Sequence, residues 1–511
     1  MTRSIAWVVV GLLVAGCSSS VVIAVPAGCQ DEPIRCVDAC GGPVAASCND
    51  GAWTCLVVTT CGEPDPHPSG CGPREEGFDC VDDCGNFQHQ VCLGGEWACP
   101  SSPSCDPPEP ETTPVVWAKS FGGNGYEIGE RVAVDGDGNV IVAASVQQTV
   151  WGLGPEHASV GGYDLTLAKF DAKGALQWRK LWATPTHDLA LGLDVDADGN
   201  IILVRSTSGN AGHPLTVGAT VVEKLTPAGE SQWATTLDAT TLIEKGDLIA
   251  VDGKGRITVW GHGWVTRLGS DGALQWRQAI QGDPYAYGRG VAANEQGEVF
   301  VTGTFCGKLA HGTVTLTSFA PSSFDGFLLA LSSNGKPMWA TAMSTSATNT
   351  GADVTALPDG GVAVLGAYTG SLTIGTSTLS SAERAAFLAR FGPSGTPMWA
   401  RTLEGASQSI HDGDRWYVAA HSAGLTVAGH VFSAKPDGYD IFFTSFSLDG
   451  TRGSTWGAGG HNMQWINGLG AGPNNTFAVV GEYWSSIDFG LGEEPEHYSQ
   501  GTSFVALAEK I

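Results

Sequence analysis

Charged side chains are scarce in this 511-residue chain, at 15%, and basic ones are scarcer still, with 26 Lys and Arg against 52 Asp and Glu. A formal net charge of −26 repels phosphate backbones and anionic headgroups, so nucleic acid is not expected as a partner. No segment sustains a 3.6-residue apolar period, which argues against long amphipathic helices. Catalytic signatures are missing too: the chain contains no G-x-S-x-G elbow, no H-E-x-x-H and no G-x-x-x-x-G-K-[ST] phosphate loop. Beyond residue 105 there is a single cysteine, Cys306, read as a buried inert thiol.

Glycine is abundant, at 71 residues, which suits many short strands joined by tight turns. A tryptophan recurs in one local setting at Trp117, Trp178, Trp233, Trp276, Trp339, Trp399 and Trp456. The spacing is mostly 55 to 63 residues, as expected of stacked copies of one supersecondary unit that cannot cover its own apolar face.

The first unit reads as four strands, A to D: RVAVD at 131–135, NVIVAAS at 139–145, LTLAKFD at 165–171 and ALQWRKL at 175–181. Asp/Asn/Gly turns join A to B (DADGN at 196–200, DGKGR at 252–256) and C to D (TPAGE at 226–230, GPSGT at 392–396). The third unit lacks most of the insert between B and C. The chain stops at a strand C, SFVALAEKI, while VVWAKSF at 115–121 is a strand D with nothing before it. Pairing the two would close a ring and remove both exposed edges, whereas an open solenoid would leave them bare. The fold class expected is therefore all-β, a seven-bladed β-propeller of four-stranded blades closed by an N-terminal strand. The register tryptophans are read as inter-blade packing.

The strings SFGGNGYEIGERVAVDGDGNVIVAAS and YDLTLAKFDAKGALQWRK resemble the bacterial seven-bladed β-propeller repeat family, over residues 115–511. That resemblance implies the fold and extracytoplasmic use, and no enzyme activity. The D-x-x-G-x-x-x-W segment is also similar to the tryptophan-docking motif of quinoprotein-like propellers, one residue shorter.

At the amino terminus Arg3 precedes an apolar run, Ile5 to Val14, too short for a bilayer span and read as a signal peptide over residues 1–16. Val14-Ala15-Gly16-Cys17 resembles a bacterial lipobox, which implies a lipid on Cys17, a tether over 17–28 and an outer-membrane lipoprotein facing periplasm or cell surface. An ordinary secretory cleavage is the alternative.

Twelve cysteines then fall into two copies of one spacing: Cys29, Cys36, Cys40, Cys48, Cys55 and Cys61 in a module at 29–61, and Cys71, Cys80, Cys84, Cys92, Cys99 and Cys105 in a module at 71–105. So many thiols in so small an exported unit read as three disulfides per module, with fifteen pairings open. Zinc held by thiolates is the competing reading, and each module has only one close cysteine pair to support it. A Pro-rich linker at 106–114 completes a stalk.

Tight A–B and C–D turns must share one rim of such a ring, which leaves the long D–A and B–C connections on the other. The D–A connections are expected to hold a recognition surface built from Tyr126, His187, Asp188, Tyr285, Tyr287, His411, Asp412, Trp416, His461 and Trp465. Flat aromatics beside carboxylates and imidazoles suit stacking on a sugar with hydrogen bonds to its hydroxyls. Packing or plugging of the ring by Trp416 and Trp465 is the bland alternative. Asp135, Asp137 and Asn139 match the start of a calcium loop, yet Val140 replaces its glycine and hairpin turns use the same residues, so no metal and no cofactor is expected.

The expected function is a lipid-anchored, extracytoplasmic, monomeric propeller that binds or scaffolds an envelope protein or polysaccharide. The alternative is a propeller-type glycan lyase or hydrolase working at the D–A rim, with His411 and Asp412 as base and orienter.

Overall fold

The structure, a computed structural model, describes the backbone of short strand pairs within residues 36–98, and then residues 114–511 apart from 124, 148, 154–156, 209–216, 238–248, 262, 321–322, 345–348, 404–405, 412–415, 423–424, 428–429, 433–439, 460–462, 475, 492, 496–501 and 510–511. Backbone alone is described at 149–151, 157–158, 207–208, 217–219, 284, 383, 406–411, 416–422, 425–427, 430–432, 440, 454 and 493–495.

Two compact units divide the chain, Met1–Glu111 and Thr112–Ile511. In the first, the duplicated spacing reappears as duplicated hairpins. Cys48 pairs with Trp53 in one copy and Cys92 with Trp97 in the other. The lipidation of Cys17 and the disulfides of the twelve stalk cysteines lie outside the described residues and side chains.

The second unit is all-β, with no helix among its described residues. Blade 1 comprises Ile128–Val134, Val140–Val146, Asp164–Phe170 and Leu176–Trp182, paired antiparallel in the order A-B-C-D. Blade 2 comprises Asp188–Val195, Ile201–Ser208, Val217–Leu225 and Ser231–Leu237. Blade 3 is Ile249–Val251, Ile257–Gly261, Trp264–Leu268 and Leu274–Ala279. Blade 4 is Gln281–Ala293, Val299–His311, Phe324–Leu331 and Pro337–Met343. Blade 5 is Asn349–Ala356, Val362–Ile374, Ser377–Phe391 and Pro397–Leu403. Blade 6 is Ala406–His411, Trp416–Ser422, Asp440–Phe446 and Arg452–Ala458.

Blade 7 takes Gln464–Ala471, Thr476–Tyr483 and Thr502–Glu509 from the end of the chain and its strand D, Val115–Gly123, from the beginning. Across that seam Phe121 pairs with Ser503, Ser120 with Phe504 and Trp117 with Leu507. The ring therefore closes as the repeat pattern requires, and every edge that an open array would expose is paired.

Local chemistry explains the hairpins. In the first A–B turn, Asp135 Oδ1 accepts the backbone N–H groups of Asp137 (3.0 Å) and Asn139 (2.9 Å), while Gly138 takes a φ of +81°. The Asp135 carboxylate also meets Lys169 Nζ from strand C at 2.8 Å, both groups buried. Asp196 and Lys224 repeat the pair in blade 2 at 2.7 Å. The Asp135 oxygens, the first pair that a calcium reading would need, are thus engaged by an ammonium and by the turn itself.

Packing is arranged between blades. Buried apolar clusters bridge blades 7 and 1, 1 and 2, 2 to 4, 4 and 5, 5 and 6, and 6 and 7. Six register tryptophans reinforce these contacts in one stereotyped way: each indole Nε1 donates to a carbonyl in the C–D turn of the following blade. The pairs are Trp117–Ala172 (3.2 Å), Trp178–Pro227 (3.0 Å), Trp233–Ser270 (3.2 Å), Trp276–Ser333 (3.0 Å), Trp339–Pro393 (2.9 Å) and Trp399–Leu448 (3.2 Å).

The turn glycine lies against the docked ring. At Gly395, with φ +77°, a Cβ would come within 2.5 Å of the Trp339 ring. Blade 7 has no C–D turn, because its strands C and D are the two ends of the ring. Trp456 instead stacks on Phe443, with centroids 5.2 Å apart, and on Phe489 at 6.4 Å.

Blade 3 is trimmed as its sequence indicates: strand B passes directly to strand C, with Gly261 opposite Trp264. Blade 4 fills the space this leaves. Its strands A and B run 13 residues each, and Phe305 and Leu309 on their extension are fully buried in the cluster shared with blade 3. Trp260 of blade 3 occupies the position a side chain at residue 288 would take, so only Gly288 fits there.

Candidate functional site

Strands A line a central cavity of about 320 Å³, where Arg131, Asp194, Asp353 and Thr355 are the polar residues. The aspartates are occupied by the wall itself. Asp194 accepts the N–H of Val195 at 2.8 Å and that of Val251, in the next blade, at 2.9 Å. Asp353 accepts the N–H of Val354 at 2.8 Å. Asp194 thereby ties strand A of blade 2 to strand A of blade 3, and both aspartates satisfy backbone donors of the wall that would otherwise be costly to leave unpaired.

The D–A and B–C connections do share one rim, and the structure places the sequence-identified residues unevenly on it. Tyr126 lies at the seam, where its hydroxyl donates to Glu482 Oε2 at 2.9 Å, and Asn467 Nδ2 donates to Glu482 Oε1 at 2.8 Å. Burial, with the carboxylate of Glu482 beside it, pushes the Tyr126 phenol well above its ordinary pKa, so it stays a donor. The adjacent Glu127 is 1% exposed, and burial raises its carboxyl to about 7 against weaker pulls from backbone amides of Gly123, Gly125 and Gln147.

His187 accepts the backbone N–H of Tyr163 through Nδ1 at 3.0 Å, and the two rings are tilted by 37° with centroids 5.4 Å apart. Asp188 is buried at the start of strand A in blade 2 and accepts the N–H of Thr184 at 2.7 Å. Burial raises its pKa. These two residues fasten the B–C connection of blade 1 to the start of blade 2.

Tyr285 and Tyr287 are not in a loop. They stand on the extended strand A of blade 4, 51% and 36% exposed, their rings parallel within 9° and 6.0 Å between centroids. Being two residues apart on a strand, they project from the same face.

His411 and Trp416 require a larger correction. His411 ends strand A of blade 6 and Trp416 opens strand B, with His411 opposite Tyr417. The segment between them, which contains Asp412 and lies outside the described residues, is therefore an A–B connection on the rim of tight turns, opposite the rim expected. His461 also lies outside the described residues. Trp465 is half-buried on strand A of blade 7, opposite Glu482.

Sequence reasoning missed Glu482, Tyr163, Trp264, Phe319 and Phe324. Trp264, 39% exposed, carries the Arg277 guanidinium over its ring at 4.4 Å. Phe319 and Phe324, 62% and 37% exposed, belong to the B–C side of blade 4. Among the described residues, all five aromatics that are this exposed sit on the rim of long connections, while the tight-turn side exposes aliphatics such as Leu274, Met338 and Met398 on strands D.

No family model matches the chain, and no curated protein matches its sequence. Solved structures do. BamB from Moraxella catarrhalis is 14% identical, over 75% of this chain and 99% of its own, with a TM-score of 0.38. A catalytically inactive virginiamycin B lyase from Staphylococcus aureus, solved with quinupristin, is 10% identical over 76% and 99%, with a TM-score of 0.40. YCF48 bound to a D1 peptide is 10% identical over 77% and 96%, with a TM-score of 0.39.

Proposed function

We propose that this chain is a lipid-anchored, extracytoplasmic β-propeller, carried on two disulfide-linked modules and a Pro-rich spacer, that binds or scaffolds a protein or polysaccharide of the cell envelope. One observation carries the reading: exposed aromatics gather on the rim of long connections and are absent from the described part of the other rim. Exposed large apolar groups cost solvation and mark recognition surfaces when they cluster on a rigid support. The catalytic alternative has less to stand on. His411 ends strand A of blade 6, Asp412 lies outside the described residues, and His187 and Asp188 already accept backbone N–H groups.

The test uses the full-length protein crosslinked in its native envelope. Joint replacement of Trp264, Phe319 and Tyr285 by Ser should reduce partner capture several-fold, while Met338→Ser with Met398→Ser should not. Cys17→Ser should release the protein from the membrane fraction. Equal capture by both sets of variants, or recovery of the unaltered protein from the cytoplasm, would sink the proposal.

A further inference from the structure

The extension of blade 4 is a sheet with two unlike faces. Toward blade 3, Phe305 and Leu309 are fully buried. On the other face exposure alternates along strand A, where Gln281, Asp283, Tyr285 and Tyr287 are exposed while Gly282 and Ala286 between them are less so. Directly opposed residues share a face of a sheet, and the register therefore shows what accompanies the tyrosines. Tyr285 is opposite Cys306, which is opposite Phe324, and this row puts two exposed aromatics on one side with a small buried thiol between. One step outward, Asp283 is opposite Lys308, which is opposite Thr317, and all three are exposed.

The face thus combines two parallel phenol rings and a phenylalanine with a carboxylate, an ammonium and a hydroxyl set along one border. It cannot fold inward, because its rear is anchored on blade 3, and although the same face packs on blade 5 further along strand B, at Phe300, blade 5 leaves Tyr285 and Tyr287 exposed at the extension.

We infer that this face is a stacking platform for a neutral, linear polysaccharide, with sugar rings lying on Tyr285 and Tyr287 and their hydroxyls meeting Asp283, Lys308 and Thr317. The inference rests on the binding-module reading and narrows it to a ligand class. Pyranose rings present flat C–H faces in repeating parallel order, and parallel aromatic rings fit that order. Hydroxyl edges need both donors and acceptors, which the border supplies with one charge of each sign and no local excess. A polyanionic glycan would approach a chain of net charge −26 against its field.

Affinity electrophoresis of the full-length protein in gels containing hydroxyethyl cellulose, galactomannan, dextran or alginate tests this. At least one neutral polymer should retard the protein. Tyr285→Ala and Tyr287→Ala should each weaken that retardation about tenfold. Tyr285→Phe and Tyr287→Phe keep the rings and should preserve most of it. Met338→Ala, on strand D of the same blade, serves as a surface control, and thermal melting confirms that each variant is folded.

Retardation by alginate alone, no retardation by any polymer, or retardation untouched by the alanine variants overturns the platform. If the platform fails but envelope crosslinking still captures a protein through the aromatic rim, the broader reading stands with a protein as its partner. If crosslinking fails as well, both fall.

Discussion

Trp117 donates its indole N–H to the carbonyl of Ala172 at 3.2 Å, across 55 residues of sequence, while its backbone lies opposite Leu507. The strand that seals the ring is thereby held twice, by a ladder to the last strand of the chain and by a dock onto blade 1. The first contact completes blade 7, and the second makes the seam equivalent to the other docked blade junctions.

Removing that dock should be the most damaging of the tryptophan substitutions. Trp117 is 7% exposed, whereas the other six register tryptophans are half-buried. Trp117→Ala should cost about 3 to 5 kcal/mol, whereas Trp233→Ala, at a half-buried site, should cost roughly half as much. Denaturant melts of the two variants check this. Equal losses would mean that closure adds nothing to an ordinary blade junction.

The Asp135–Lys169 pair gives a prediction with a pH dependence. Burial alone would raise the Asp135 pKa, but hydrogen bonds from Lys169 and Asn139 more than offset it and hold the carboxyl below its ordinary 3.8. The pair therefore contributes stability above that pH, and the contribution is lost as acid protonates the carboxylate in the folded state. Lys169→Met should destabilise by about 3 to 5 kcal/mol, because it leaves a buried charge without its partner, and adding Asp135→Asn should recover much of the loss. A double-mutant cycle followed by thermal melting measures the coupling. Chelator should leave the melting temperature of the unaltered protein unchanged.

Glu127 should behave in the opposite sense. Its carboxyl is raised from 4.5 to about 7 by burial at the seam, so the folded state holds the proton more tightly than the unfolded chain does. Stability is then full below 4.5 and declines as pH rises to about 7, by at most roughly 3 kcal/mol. Glu127→Gln should flatten that decline, measured as melting temperature against pH, and should leave the acid limb set by Asp135 in place.

The ring was legible from short-range chemistry. Strand B of the first unit was expected at 139–145 and spans Val140–Val146, and the orphan strand at 115–121 pairs where its missing neighbours required. Period-two alternation and Asp/Asn/Gly turns act over a few residues and recur from blade to blade, so each copy corroborates the next. The rim was less legible. HDGDRW contains a histidine, two aspartates and a tryptophan, and that composition suggests a binding loop. Only the pairing of His411 with Tyr417 assigns it to a hairpin end. Likewise nothing local says that Tyr285 and Tyr287 stand on a strand, because that strand exists through its ladder to residues 304–310.

Residue order alone was sufficient for the number of blades, the identity of their strands and the circular closure, because those follow from repeated local preferences and from the need to leave no edge unpaired. Which carbonyl each indole reaches, which rim each polar residue occupies and which face of blade 4 remains open were decided in three dimensions. Those outcomes depend on groups separated by dozens of residues, and on the space a shortened neighbour leaves behind, and neither is encoded in any local stretch of chain.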